Sequence, residues 1–466
     1  MSDCWAAASS IAYVGQIHQP KKPTIQKLTN SRPLLRLALP NILSNVSVPL
    51  LSSVDTALMG QLSAAHLGAV GIGGMLFNFL YWNFGFLRMG TTGLTAQAYG
   101  AGDARAIAGT LGRAGVLAIG LAAALWALQL LLYGAGTWLL NVPDATEALV
   151  ADYFYVRIWA APASLLLYVA AGWLFGMQNA RLPLLLAVSV NVVNVAASYY
   201  LVVGRGLGTA GVAWGTVAAQ YFGLALALGL LTWRYPGHVR ALRGVALAKL
   251  AGYRRLVRVN GDIFLRTLCL TFAFAFLYSR AAADSTLSLA VVTVLLQFLN
   301  WMSYGVDGFA YAAEALVGRF VGAGDRGALR ASIRLSMLWG GGVAAGFAVL
   351  YAVGGEALIA LFTDEAAVRA GAAELMPYLV ALPLVGAACY IWDGVFVGLT
   401  ATRAMRDTML LALLGYLLAY FVLRGVLGEV EGLWAAMLVF LGGRGLLQTW
   451  WWLRGRGGVT AAGVRS

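Results

Sequence analysis

Charge is scarce in this chain, and the scarcity excludes most of what a 466-residue protein could be. Only 11% of residues are charged against 61% hydrophobic, and the mean hydropathy is +0.77, values that do not describe a soluble domain. Lysine occurs four times and no G-x-x-x-x-G-K-[ST] is found, so no P-loop is present to bind ATP. The three histidines (His18, His66, His238) have no metal-ligand spacing. Cys4, Cys269 and Cys389 fall in a tail and two apolar runs, which gives no disulfide framework. No His-Asp, Ser-His-Asp or metal-binding group stands out, so neither an enzyme nor a cofactor is expected. The first thirty residues are polar and basic without a signal-peptide core, and they read as a cytosolic tail.

What the chain does have is apolar runs long enough to cross about 30 Å of hydrocarbon. They recur near 34 to 59, 66 to 92, 106 to 133, 147 to 175, 183 to 203, 209 to 233, 255 to 281, 286 to 318, 327 to 354, 368 to 399, 406 to 425 and 432 to 453. This pattern predicts an all-α, multi-pass membrane protein with twelve spans. The net charge of +13 follows the same layout. With both termini cytoplasmic, Arg205, Arg280, Arg369 and Arg424 fall at outer ends, and Arg88, Arg157 and Arg266 within spans. The remaining basic residues gather on the cytoplasmic side, as the positive-inside rule requires. The basic loop 234–254 is thus a topology and lipid-facing signal, and no nucleic-acid partner is expected.

The first span, LLRLALPNILSNVSVPLLSSVDTALMG, carries one acid, Asp55, and two prolines, Pro40 and Pro49. A carboxylate in hydrocarbon is costly unless it is protonated, paired or wet, which makes Asp55 a candidate proton or cation switch; at the outer water interface it needs no explanation. The prolines remove amide donors and permit a bend. On span five, Asn191, Asn194 and Ser198 fall at i, i+3 and i+7, on one face. On span six, Thr216 and Gln220 repeat an i, i+4 spacing. These faces form either a shared polar cavity with Asp55 or interhelical packing contacts.

After the basic loop the chain starts again. Gly100-Ala101-Gly102-Asp103 reappears 222 residues later as Gly322-Ala323-Gly324-Asp325, and the same offset takes Tyr168 to Tyr390, Gly176 to Gly398 and Arg181 to Arg403. The chain therefore reads as a duplicated six-span unit, with an N-lobe over 34–233, a C-lobe over 255–453 and tails over 1–33 and 454–466. Both copies insert with the same orientation, and a cleft between them is the natural site. Charges are unequal between the copies. Asp262 and Arg266 sit at i, i+4 on span seven and are expected to pair. Asp307 and Glu314 share a face of span eight beside Tyr304 and Tyr311, and Asp393 lies on span ten. Acids beside aromatic rings suit a lipophilic cation. These three, with Gln178 in GWLFGMQNARLP, are candidates for contacting substrate or a second ion. Arg88 either snorkels to the inner surface or pairs with an acid, and snorkelling is expected.

Five segments carry a resemblance: LALPNILSNVSVPLLSSVDTALMGQL (37–62), NVVNVAASYYLVVG (191–204), NGDIFLRTL (260–268), DGFAYAAEALVG (307–318) and WDGVFVGLTATRAMRDTM (392–409). They resemble the multidrug and toxic compound extrusion (MATE) transporters, and within them the DinF-like branch. The resemblance implies two six-helix lobes forming a V-shaped cleft, and export of drug-like organic cations against protons, or sodium ions in some members. It identifies Asp55 with the family's cation-binding acid, Pro40 with its bend proline, and Asn194 and Thr216 with companion polar positions. Members of this branch often carry a second acid on helix five, where this chain has Ser198. The lone carboxylate favours a proton over Na+ at Asp55. A monomer in a cell inner membrane is expected. The alternative within the wider superfamily, a lipid-linked sugar flippase, would be expected to carry a cationic cleft for pyrophosphate.

Overall fold

Long uninterrupted apolar runs leave the backbone no partner but itself in hydrocarbon, so helix is the only economical outcome. The computed structural model describes residues 31–60 and 62–455; the side chains of residues 46–57 lie outside that description. Seventeen α-helices follow one another: α1 (Arg32–Gly60), α2 (Ala64–Asn83), α3 (Phe86–Ala101), α4 (Ala104–Ala127), α5 (Gln129–Leu140), α6 (Asp144–Arg157), α7 (Ala161–Gly176), α8 (Arg181–Tyr199), α9 (Gly208–Arg234), α10 (Pro236–Ala241), α11 (Arg254–Asp284), α12 (Thr286–Ala323), α13 (Arg326–Ala360), α14 (Ala366–Glu374), α15 (Met376–Leu399), α16 (Thr402–Leu427) and α17 (Glu429–Arg454). Among the described residues, eleven helical stretches are long and apolar enough to span a membrane. The twelfth, α1, has 29 residues, about 43 Å at 1.5 Å per residue, and runs through Pro40 and Pro49 without a break. The fold is the expected twelve-span, all-helical one.

Span ends differ from the apolar runs where helices continue past hydrocarbon or change direction. The second span extends to Ala101 and is broken at Phe84 and Gly85 between α2 and α3. The fourth joins α6 to α7 through a 3-10 turn at Ile158–Ala160, and the tenth begins at Met376, next to Pro377, after the separate helix α14.

The duplication is written into the caps. Asp103 accepts from the Ala106 amide at 2.9 Å, and Asp325, 222 residues on, accepts from Ala328 at 2.9 Å. Both caps follow a glycine at φ +70, Gly102 and Gly324, a left-handed position that only glycine adopts without strain. Ser63 and Ser285 cap α2 and α12 through the amides three residues on. Gln178 and Thr400 are likewise equivalent, both with positive φ.

The lobes meet where small residues let backbones touch. A Cβ on Gly100 would lie 1.9 Å from the Arg319 carbonyl oxygen, and one on Gly322 would lie 1.9 Å from that of Gln97. These two contacts are the same contact related by the repeat, since 97 and 319 are also 222 apart. Gly93 adds a third approach, to the Val397 carbonyl, and Gly308 a fourth, to α1 at Ala38 and Ile42. Polar side chains stitch the same seam. Gln97 Nε2 donates to the Gly398 carbonyl at 2.8 Å, Arg255 donates to Gln97 Oε1 at 2.7 Å, and Gln178 Nε2 donates to the Ala315 carbonyl at 2.8 Å. All lie toward the end where α3 and α12 finish and α1, α4, α11, α13 and α16 begin with arginines. The lobes are therefore closed at this basic face.

Gly322→Ala should drive the lobes apart at the seam and lower the melting temperature of purified protein, by the 1 to 3 kcal/mol typical of overpacking at about its upper end. Gly425→Ala, with nothing within 4 Å, should leave it unchanged.

Candidate functional site

Two polar clusters line the inside of the lobes, and they differ in kind. In the N-lobe, α8 and α9 approach closely at Gly215, where a Cβ would lie 2.3 Å from Ser198 Oγ. This brings Asn194, Ser198 and Thr216 together, all buried. Asn194 Nδ2 donates to Thr216 Oγ1 at 3.0 Å, and Thr216 donates on to the Val212 carbonyl at 3.2 Å. Asn194 Oδ1 and Ser198 Oγ are left without a hydrogen-bond partner among the described residues. Two oxygens buried and unpaired cost several kcal/mol in total at roughly 1 to 3 each, and they are acceptors ready for a proton donor or a cation. Asn191, on the same face, is half-buried and already engaged. Helix α1 packs along α8, and Asp55 belongs to α1, but its side chain lies outside the described residues. Pro40 is half-buried near the basic end of the same helix.

The C-lobe cluster is ionic. Asp393 on α15 accepts from Arg266 Nη2, from Arg444 Nη2 at 2.7 Å and from Gln448 Nε2 at 2.8 Å. Three donors from two helices engage it, so Asp393 ties α11 and α17 to α15. Arg266 therefore does not pair with Asp262, contrary to its i, i+4 spacing. Asp262, one turn nearer the basic face, turns to α16 and binds Arg406 at 2.7 Å and Thr402 at 2.9 Å. Arg444 and Gln448 escaped the sequence analysis, although an arginine ten residues inside the last span was a legible signal.

Arg88 does not snorkel. It stays inside, 3.7 Å from Glu314 across the interlobe seam, with its guanidinium 4.0 Å over the Tyr311 ring. The reason is local: Gly172 and Gly176 bring α7 against α3 over this turn, and Glu314, wholly buried, needs a counter-charge. Asp307, two turns from Glu314 on α12, is half-buried and has no hydrogen bond or ion pair among the described residues. Gln178 is not presented to a ligand through its amide nitrogen, which is spent on the Ala315 and Gly176 carbonyls in the seam. Three guanidinium groups (Arg88, Arg266, Arg444) thus face three carboxyl groups (Asp307, Glu314, Asp393) in the core, and of these three acids Asp307 has no hydrogen bond or ion pair among the described residues. Among the described residues no group of acids, histidines or cysteines could hold a metal ion.

Asp393→Asn should leave two buried guanidinium groups uncompensated and destabilise the protein by about 3 to 5 kcal/mol, read as a large fall in melting temperature. Asp307→Asn removes no contact and should stay within about 1 kcal/mol of the parent in the same assay.

Comparison with known proteins places this architecture. The family model MatE matches twice, over residues 40–200 and 263–422, once in each copy of the repeat. The chain is 39% identical over 431 residues to DNA damage-inducible protein F of Escherichia coli (strain K12), covering 92% of this chain and 93% of that one. It is 27% identical over 463 residues to a probable multidrug resistance protein NorM of Rhizobium meliloti (strain 1021), covering 94% and 96%. Among solved structures, a MATE transporter in the bent conformation superposes with a TM-score of 0.84 at 16% identity, covering 93% and 96%. The Vibrio cholerae MATE transporter VcmN in the bent form gives 0.81 at 21%, covering 93% and 98%; these two likenesses are of fold. Matched by the family model in both halves and across nearly its whole length by a DinF relative, the chain belongs to the MATE transporter family, in its DinF-like branch.

Proposed function

We propose that this protein exports drug-like organic cations from the cell in exchange for protons. The observation that carries the reading is the Asn194–Thr216 pair with its unpartnered neighbours, Asn194 Oδ1 and Ser198 Oγ. A protonated Asp55 carboxyl, brought to this face by α1, would supply the missing donor. An ionised one would be repelled by Asn194 Oδ1 and would find a donor only in the Ser198 hydroxyl. Proton binding and the position of α1 are coupled in this way, and the hinge is at Pro40, whose missing amide leaves one rung of the continuous helix unmade. The relatives' names, multidrug resistance protein among them, support a drug-like cargo. Ser198 leaves this site with one formal charge where two would suit Na+, which favours the proton.

By the positive-inside rule the basic face is cytoplasmic, the N- and C-termini lie there, and the membrane is the cell's inner one. The closed seam at that face then makes this the outward-facing state. Asp307, with no partner of its own, is the group that would meet a cationic cargo in the cleft, beside Tyr304 and Tyr311. Protonation of Asp55 from outside shifts α1 and releases the cargo. To reset, the lobes must part at the seam, which breaks the bonds of Gln97 with Arg255 and Gly398. A membrane potential adds about 2.3 kcal/mol per charge per 100 mV to any electrogenic exchange.

In proteoliposomes, efflux of a fluorescent organic cation should follow an imposed proton gradient, ignore a sodium gradient, and vanish in Asp55→Asn. Asn194→Ala should slow it by about tenfold, the effect of one lost buried hydrogen bond of about 1.4 kcal/mol. Efflux by Asp55→Asn at the parent rate, or drive by sodium alone, would sink this mechanism.

A further inference from the structure

A cavity of about 500 Å³ opens at the basic face between the first turns of α1 and α8, lined by Arg32, Leu35, Arg36, Leu39, Pro40 and Arg181. The guanidinium groups of Arg36 and Arg181 have no partner among the described residues, and no acid lines the cavity. Below the arginines the same helix faces turn apolar. On α1, Arg32, Arg36, Leu39 and Leu43 follow at i, i+4, i+7 and i+11; on α8, Arg181, Leu185, Val188 and Val192 repeat those steps. Leu39, Leu43, Leu185, Val188 and Val192 are all between 45% and 62% exposed. Two helices that both start at the basic face thus present three cations at headgroup level and an apolar trough about 10 Å long beneath them, at 1.5 Å per residue.

We infer that this groove is a binding site for an acidic phospholipid, its phosphate held by Arg32, Arg36 and Arg181 and an acyl chain laid along Leu39, Leu43, Leu185, Val188 and Val192. Basic pockets between membrane helices suit anionic headgroups, and arginine's planar fork suits phosphate. A soluble phosphate would satisfy the arginines but leave the trough unused. The duplicated half supplies an internal control. Its equivalent arginines are Arg254, Arg258 and Arg403, 222 residues on and equally exposed. There, however, Asp407 replaces Leu185, with a side chain 58% exposed and paired to Arg406, and Asp262 replaces Pro40. A carboxylate in the trough repels a phosphate and interrupts the apolar floor, so the second copy does not bind. The occupant would lie against Pro40, whichever ion drives transport.

The test is native mass spectrometry of protein purified from mixed micelles of phosphatidylglycerol and phosphatidylcholine. The parent should retain one phosphatidylglycerol preferentially. Arg32→Gln/Arg36→Gln/Arg181→Gln should weaken retention on the order of a hundredfold, at roughly fivefold per basic residue near the surface. Arg254→Gln/Arg258→Gln/Arg403→Gln should retain it like the parent. Leu185→Asp, an exposed single change that makes the first copy resemble the second, should lose it too and keeps the test decisive if the triple variant folds poorly. Equal retention by all variants would overturn the proposal. So would full displacement of the lipid by millimolar inorganic phosphate, which would mark a soluble-anion site.

Discussion

A charge within hydrocarbon must reach an opposite charge, a wet cavity or the membrane face, and the arrangement of this molecule follows from how its few charges meet that demand. Most arginines take the third course and begin or end helices at one face. Arg88, Arg266 and Arg444 take the first, and in doing so they fix which helices touch. Asp393 holds α11 and α17 to α15, and Glu314 draws Arg88 across from the other lobe. Remove the carboxyl groups and these helices have no reason to keep three guanidinium groups inside.

The two copies of the repeat have divided the work. Where the N-lobe has Asn194, Ser198 and Thr216, the C-lobe has Tyr416, Tyr420 and Leu438; where the C-lobe has Asp393 and Arg444, the N-lobe has Ala171 and Phe222. One copy keeps neutral acceptors with spare capacity, the other an ionic cluster in which one carboxylate, Asp393, ties three helices together. A site with unused acceptors can change its occupant cheaply. An ionic cluster whose carboxylate already holds three buried donors is costlier to rearrange.

Much of this was legible in the sequence, for identifiable reasons. Span number follows from run length, and the duplication from Gly-Ala-Gly-Asp, because a glycine at positive φ followed by a capping acid is a local device that needs no tertiary context. The contact of Asn194 with Thr216 agrees with the companion polar positions that the family resemblance implied, while the helical spacing alone left cavity and packing contact both open. What failed were partners chosen by spacing along one helix. Asp262 and Arg266 obey the i, i+4 rule, yet each found a stronger partner on another helix, and a rule worth a few tenths of a kcal/mol yields to a buried, multiply bonded carboxylate. Arg88 stayed inside because Glu314 lies across the seam, which no local pattern reports. The role proposed for Asp55 comes from the sequence alone.

The paired contacts of Gly100 with Arg319 and of Gly322 with Gln97 bear on how such a molecule can move. Because the repeat relates one contact to the other, the two sit on opposite sides of the pseudo-twofold axis at equal depth. A tilt that opens only one of them would have to compress the other, where backbone atoms already touch. The lobes can separate at this face only by withdrawing from both contacts together. In the proposed cycle closure would thereby be cooperative, a clasp with two teeth and no half-fastened position, and geometry rather than timing would guard against leakage through a partly opened floor.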